Sequence, residues 1–565
     1  MADHTIDERA PLLGADRRST PQPTEQGPTS QQPTSYVSTA SIRRLAHRAV
    51  SLTTAEQVIL VNFISIFIVE LALGTANPAI SSMIETIVCR QRYGDTLLIS
   101  HGGSGSAIDP RCKLPDIQGR LSQLLGWQTA FECIPNILFS LPYGILADNL
   151  GRKPVMLLAW TGLGLQLGWY LTVFYFRNVF PLWALWFTAL FGSVGSFESV
   201  GPAMVFTALA DVTPQAERAN CYFRLTAVFL VAELISNPMG GALLLWGGHW
   251  APLVFGFVGV VLSGLVLLLM PETLNFDTKA GRTAPERVSV VEDDTDNQEP
   301  PRKRTLASTW HQFLHLLRTD ARATSLFILR NRPLMFLMIP FIFSLVGRFV
   351  QNLLLQYATK RYGWSWSQAA FLLTIRSTTN LCLCLVLLPL ASAALLKSGP
   401  LFGISGSSLR KDLWLARVSG VLLVVGSLLI AFAVTPWLLS IALVVFSLGG
   451  GYSATMRSLL NAFVEPHHLA MLNTLLGLLE FSGLMVAAPV LFGALQKGVA
   501  LGGAWTGLPF ILSAGMCLVS TVVVVVFRIP QKMLRKEEEE AAETEARRQQ
   551  EDTTSNSAEA GAEEV

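Results

Sequence analysis

Long apolar runs separated by short polar segments dominate this chain. A helix needs roughly 20 apolar residues to cross about 30 Å of hydrocarbon, and twelve runs qualify. They extend from Val58 to Ile80, Leu124 to Leu146, Val155 to Phe176, Leu182 to Leu209, Phe223 to Trp246 and Pro252 to Met270. After a polar interval they resume from Leu334 to Tyr357, Trp366 to Leu390, Leu413 to Val434, Trp437 to Leu460, Met471 to Leu495 and Trp505 to Phe527. Pro135, Pro142, Pro202, Pro238 and Pro489 fall inside runs, which membrane helices tolerate where neighbours cover the freed backbone groups. The pattern predicts an all-α membrane protein with twelve transmembrane helices, six before the polar interval and six after it.

The polar segments set the domain limits. Residues 1–52 form a Pro-, Ser-, Thr- and Gln-rich tail, 53–271 a six-helix bundle, 272–332 a linker, 333–528 a second bundle and 529–565 an acidic tail. Both tails are expected to be disordered, because they hold too little apolar surface to bury. Within the linker, Trp310, Phe313, Leu316 and Leu317 recur at helical spacing and predict a surface helix near Thr305 to Leu317. The distribution of Lys and Arg places both termini in the cytosol, although the first loop, with Arg90, Arg92, Arg111, Lys113 and Arg120, fits that orientation poorly. The plasma membrane is the expected location. A vacuolar or endosomal membrane is the alternative, because Glu8, Leu12 and Leu13 fit an acidic dileucine pattern read by sorting adaptors.

Composition narrows the class. Hydrophobic residues make up 51% and charged residues 15%, against about 25% charged in soluble domains. A net charge of +2 gives no reason to expect nucleic acid. The seven cysteines show no metal-binding spacing. Cys382 and Cys384, inside an apolar run, are expected to be small core residues, while Cys89 and Cys112 share one polar loop and can pair if it faces an oxidising compartment. With no nucleophile elbow, His/Asp cluster or metal spacing, neither an enzyme nor a cofactor is expected. The expected partners are the lipid bilayer and a small-molecule substrate, with the monomer as the functional unit.

The most specific stretch joins the second and third runs: Gly144-Ile145-Leu146-Ala147-Asp148-Asn149-Leu150-Gly151-Arg152-Lys153-Pro154. It resembles the signature loop of the major facilitator superfamily, with Asn149 in place of the usual basic residue. Pro271-Glu272-Thr273 after the sixth run is similar to the Pro-Glu-Thr found there in fungal and sugar-porter members. The wording of the loop looks most like fungal members near proton-coupled and drug-transporter-like branches. The resemblance covers about Thr53 to Arg528 and implies two six-helix pseudo-repeats, with a substrate site near mid-membrane between them. It also implies a gate built from Gly144, Asp148, Gly151, Arg152 and Lys153, in which Arg152 pairs with Asp211 and Asp148 faces the start of the eleventh helix.

Ionisable groups inside membrane spans are costly and usually face a bundle interior or a cavity. Glu70, Glu132, Glu198, Glu233, Arg348, Arg376 and Glu480 qualify, and Asn77, Gln351 and Asn352 join them if helices 1, 4, 7 and 10 line the cavity as the resemblance implies. The acids lie mainly in the first half, whereas Arg348, Arg376 and Arg457 lie in the second, so a charge pair across the interface can open and close as the halves rock. Glu70 or Glu198 is the expected carrier of a coupling proton, with Arg348 or Arg376 as counter-charge, and Arg457 is expected to snorkel. The leading expectation is proton-driven efflux of a drug or secondary metabolite by alternating access, powered by the proton gradient. A proton-coupled importer is the second reading, and a non-transporting sensor on the same fold the third.

Overall fold

The structure is a computed structural model that describes residues 53–94, 110–273, 332–397, 407–464 and 469–535, together with 537 and 539. The dileucine segment and the expected linker helix near 305–317 lie outside the described residues. Twelve helical stretches are long and apolar enough to cross a membrane. In the first half they are α1 (Thr54–Tyr93), α2 (Pro115–Leu150), α3 (Arg152–Tyr175), α4 (Leu182–Val212), α5 (Asn220–Gly247) and α6 (Trp250–Leu267). In the second half they are α7 (Pro333–Tyr362), α8 (Trp366–Leu395), α9 (Ser408–Ala431), α10 (Pro436–Ala462), α11 (Leu472–Leu501) and α12 (Gly503–Val526). No strand occurs among the described residues.

Local chemistry sets several helix starts. Thr53 accepts from the Glu56 amide at 3.3 Å while the Glu56 carboxylate accepts from the Thr53 amide at 3.0 Å, and Ser365 and Gln368 repeat this reciprocal cap at the start of α8. Along α12, Ser513, Ala514, Cys517, Ser520 and Thr521 are buried, while Leu518, Val519, Val522 and Val525 are exposed. Small and weakly polar residues therefore pack between helices and bulky apolar ones face outward, as expected where the surroundings are lipid. Within the halves, α1 packs on α5 and α6, and α12 on α7 and α9. Between the halves, α2 packs along α11 and α5 along α8.

Four spans depart from the uniform helices read from the sequence. In α4 the helix stops at Gly192 and restarts at Phe197, with Gly195 and Ser196 at φ 76° and 42°. Polar side chains of α2 take up the freed backbone: Tyr143 donates to the Ser193 carbonyl at 2.9 Å, and the Ser199 amide donates to Asn136 Oδ1 at 3.2 Å. Such irregular backbone persists at membrane depth only where protein covers it or it lines a cavity. Its counterpart α10 breaks at Gly449 and Gly450, α7 tightens to a 3₁₀ turn over Phe349–Leu353, and α8 widens to a π turn over Leu383–Leu387. That π turn begins beside Cys382, which is exposed, with Cys384 half-buried inside it, so neither is the core residue expected. The chain is also helical over 531–535, inside the tail expected to be disordered.

Candidate functional site

A cavity of about 410 Å³ lies between the halves. The first half contributes Glu70, Asn77 and Ser81 from α1, Thr129, Glu132 and Cys133 from α2, Glu198 from α4, and Glu233, Ser236 and Asn237 from α5. The second half contributes Phe349, Gln351, Asn352 and Leu355 from α7, Leu373 and Arg376 from α8, and Leu484 and Phe492 from α11. Helix α10, expected in the lining, supplies no residue among these, while α2, α5, α8 and α11, expected to flank the cavity, line it directly.

The cavity carboxylates differ in their partners. One oxygen of Glu132 accepts from Gln128 at 2.7 Å, Gln166 and Tyr170 at 3.0 Å, and Thr188 at 3.2 Å. Glu233 pairs with Arg376 across the interface and accepts from Ser377 at 3.2 Å, and Asn237 donates to that same hydroxyl at 2.9 Å. Glu198, in the first turn of the helix that restarts after the α4 break, accepts from Asn136 at 3.2 Å. Glu70 has no hydrogen bond or ion pair among the described residues; its nearest charged neighbour is Glu233.

The second-half cations sit differently from the sequence expectation. Arg376 meets Glu233 rather than Glu70 or Glu198. Arg348 is not among the cavity-lining residues and interacts with Glu480, Arg457, Tyr452 and Cys517. It closes the regular part of α7, and the tighter winding that follows carries Gln351 and Asn352 to the cavity instead. Arg457 does not snorkel; it pairs with Glu480 at 2.7 Å. A buried acid within reach outcompetes the route to the interface.

At one end of the bundle the two halves are joined around Glu85, which is 1% exposed. Its carboxylate accepts from Lys113 at 2.7 and 3.0 Å, from Gln118, and from Trp366 of the second half at 2.5 Å. Gln356 of α7 donates to the Gln118 carbonyl at 3.0 Å and to Ser122 at 2.9 Å, and Lys360 donates to the Lys113 carbonyl at 2.5 Å. A disulfide joins Cys89 at the end of α1 to Cys112 beside Lys113, with Cα atoms 5.3 Å apart. Burial lowers the Lys113 ammonium below the ordinary lysine range, although Glu85 acts in the opposite direction. The sequence reading passed over this hub because it ended the first span at Ile80, whereas α1 runs on to Tyr93. The overlooked signal is the helical spacing of Ile84, Ile87 and Val88 around one acid, all of them buried.

At the opposite end the loop between α2 and α3 ties helices of the first half together. Arg152 pairs with Asp148 at 2.5 Å and reaches Asp211 of α4 at 3.5 Å. Glu272, after α6, accepts from the Arg152 and Lys153 amides at 2.8 and 3.2 Å, and Lys153 donates to the Leu268 carbonyl at 2.8 Å. Gly151 stands at φ 109°, and a Cβ there would lie 2.5 Å from the Glu272 carboxylate, so only glycine fits. Gly144 has open space around it. The start of the eleventh helix, expected to face Asp148, falls partly in 465–468, outside the described residues. The second half repeats the Glu272 arrangement: Glu537, after α12, accepts from the Ser408 amide at 2.6 Å and the Leu409 amide at 3.3 Å at the start of α9. In each half, an acid after the sixth helix therefore caps the third.

Two six-helix halves, broken helices at the interface and a polar cavity between the halves define a multi-pass membrane transporter. The chain belongs to the Major Facilitator Superfamily, whose family model matches residues 62–409. It is 28% identical over 484 residues to the MFS efflux pump atnC of Emericella nidulans, covering 84% of this chain and 88% of that protein. It is also 28% identical over 510 residues to the efflux pump ustT of Aspergillus flavus, covering 89% and 92%. Among solved structures, the xylose transporter XylE from E. coli in a partially occluded inward-open conformation matches with a TM-score of 0.52 at 12% identity, covering 85% of this chain and 100% of that one. The nucleoside transporter NupG matches with a TM-score of 0.51 at 12% identity, covering 84% and 100%. The structural likeness shows the fold, and family membership makes the chain a secondary membrane transporter.

Proposed function

We propose that this transporter exports a small organic compound by alternating access, driven by the proton gradient. The observation that carries the reading is the cavity itself, placed between the halves and walled by four carboxylates. The names of the relatives, efflux pumps in both cases, support export. In this reading Glu70 and Glu198 exchange protons with the aqueous phase, while the pair between Glu233 and Arg376 is made and broken as the halves rock. Both termini face the cytosol, the hub at Glu85 closes the outer end, and the protein works as a monomer in the plasma membrane.

Mass spectrometry of culture medium and cell extract, with and without this chain, tests the proposal. At least one compound should move from medium to cells when the chain is absent, and a protonophore should produce the same shift in its presence. Unchanged partitioning defeats the export reading. Partitioning that changes with the chain but ignores the protonophore defeats the coupling.

A further inference from the structure

The cavity is lopsided in charge. Its lining holds four carboxylates, all from the first half, and one guanidinium, Arg376. That cation is already engaged by Glu233, and Glu132 is engaged by four neutral donors. Glu198 has a single neutral donor, Asn136, and Glu70 has neither a hydrogen bond nor an ion pair among the described residues. Two carboxylates therefore face one space with no protein cation to meet them. The opposite wall is of another kind, with Phe349, Leu355, Leu484 and Phe492 presenting an apolar and aromatic surface.

We infer that the cargo is an organic cation with an apolar body, its charge held by Glu70 and Glu198 and its body laid against the second-half wall. A carboxylate in a low-dielectric space is satisfied only by a counter-charge or by donors, and here the protein leaves that role to the ligand. Aromatic faces such as Phe349 and Phe492 add attraction for a cation. The cavity volume falls within the range of sites for drug-sized molecules, about 300–1,000 Å³. The inference deepens the export reading and rests on it for the word cargo, but its charge selectivity is a binding property that can be read without transport.

The test uses the full chain in lipid nanodiscs and two probes of the same shape and opposite charge, tetraphenylphosphonium and tetraphenylborate. Saturable binding, corrected with empty nanodiscs, should favour the phosphonium by at least tenfold. Combining Glu70→Gln with Glu198→Gln should remove most of that preference while leaving the elution profile of the folded protein unchanged. Equal saturable binding of both ions, preference for the borate, or no saturable binding of the phosphonium by the wild-type chain overturns the inference, and none of these outcomes depends on a variant folding. Preference retained in the double variant also overturns it. Charge-selective binding without export in the metabolite experiment would sink the transport reading and leave this one standing.

Discussion

The two ends of the bundle use polar contacts for different purposes. At the Glu85 end, contacts join one half to the other: Trp366 donates to Glu85, Gln356 to Gln118 and Ser122, and Lys360 to the Lys113 carbonyl. At the Asp148 end, the contacts described above run inside a half: Arg152 to Asp148 and Asp211, Glu272 to the start of α3, and Glu537 to the start of α9. A contact across the interface can differ between two states of a rocking transporter, whereas one inside a half keeps that half moving as a unit. Changes at the first end should therefore shift the balance of states, and changes at the second should loosen a bundle. The disulfide between Cys89 and Cys112 fits this division, since it fixes the loop that carries Lys113 to the closing end.

Glu85→Ala should have the largest effect. It leaves the Lys113 ammonium, whose side chain is 13% exposed, without its carboxylate, and breaking a buried pair costs about 3–5 kcal/mol. That penalty falls on the closed end, so the population should shift by roughly a hundredfold or more, at about 1.4 kcal/mol per tenfold. Spin labels at exposed Arg92 on α1 and exposed Lys497 on α11, one from each half, should move apart in the variant. An unchanged distance distribution would mean that the hub does not hold this end shut.

How much of this was legible in the sequence depends on which force sets each feature. The twelve spans could be read because hydrocarbon thickness imposes one length on all of them, and the loop around Asp148 supplied the family. The hub was hidden because pairing, not hydropathy, allows Glu85 to be buried, and its partners lie 28 to 281 residues away. The break in α4 was written as Gly192-Ser193-Val194-Gly195-Ser196, but apolar residues on both sides make the same run read as continuous helix. Which arginine meets which acid was not legible either: a 3₁₀ turn after Arg348 decides which α7 side chains reach the cavity, and no glycine or proline within Phe349–Leu353 announces it.

Glu272→Ala should act on the other side of the comparison. It removes two charge-assisted hydrogen bonds from the start of α3, where each such bond is worth about 1.5–3 kcal/mol. Thermal stability should fall by several degrees in detergent, with the label distance between positions 92 and 497 unchanged. If that distance shifts as far as in Glu85→Ala, the ends are not separate in function and the division fails.

The smallest expected effect belongs to the equivalent acid of the second half. Burial acts to raise the Glu537 carboxyl, but hydrogen bonds from Ser407, Ser408 and Leu409 prevail and hold it below the usual carboxylate range. A group depressed in this way stabilises the folded state fully above its unfolded value, and the contribution is lost as pH falls through its folded one. The window is therefore acidic, below about pH 4. Because Glu537 is only half-buried, solvent screening keeps the effect under about 1 kcal/mol. Hydrogen exchange at the Ser408 and Leu409 amides, corrected for its intrinsic pH dependence, should lose protection in that window. Glu537→Gln should lack this step and show reduced protection already at neutral pH, while the exchange of α3 amides capped by Glu272 stays as in the wild type. Equal loss at both helix starts would show that the two caps are coupled through the bundle, so that each half does not carry its own.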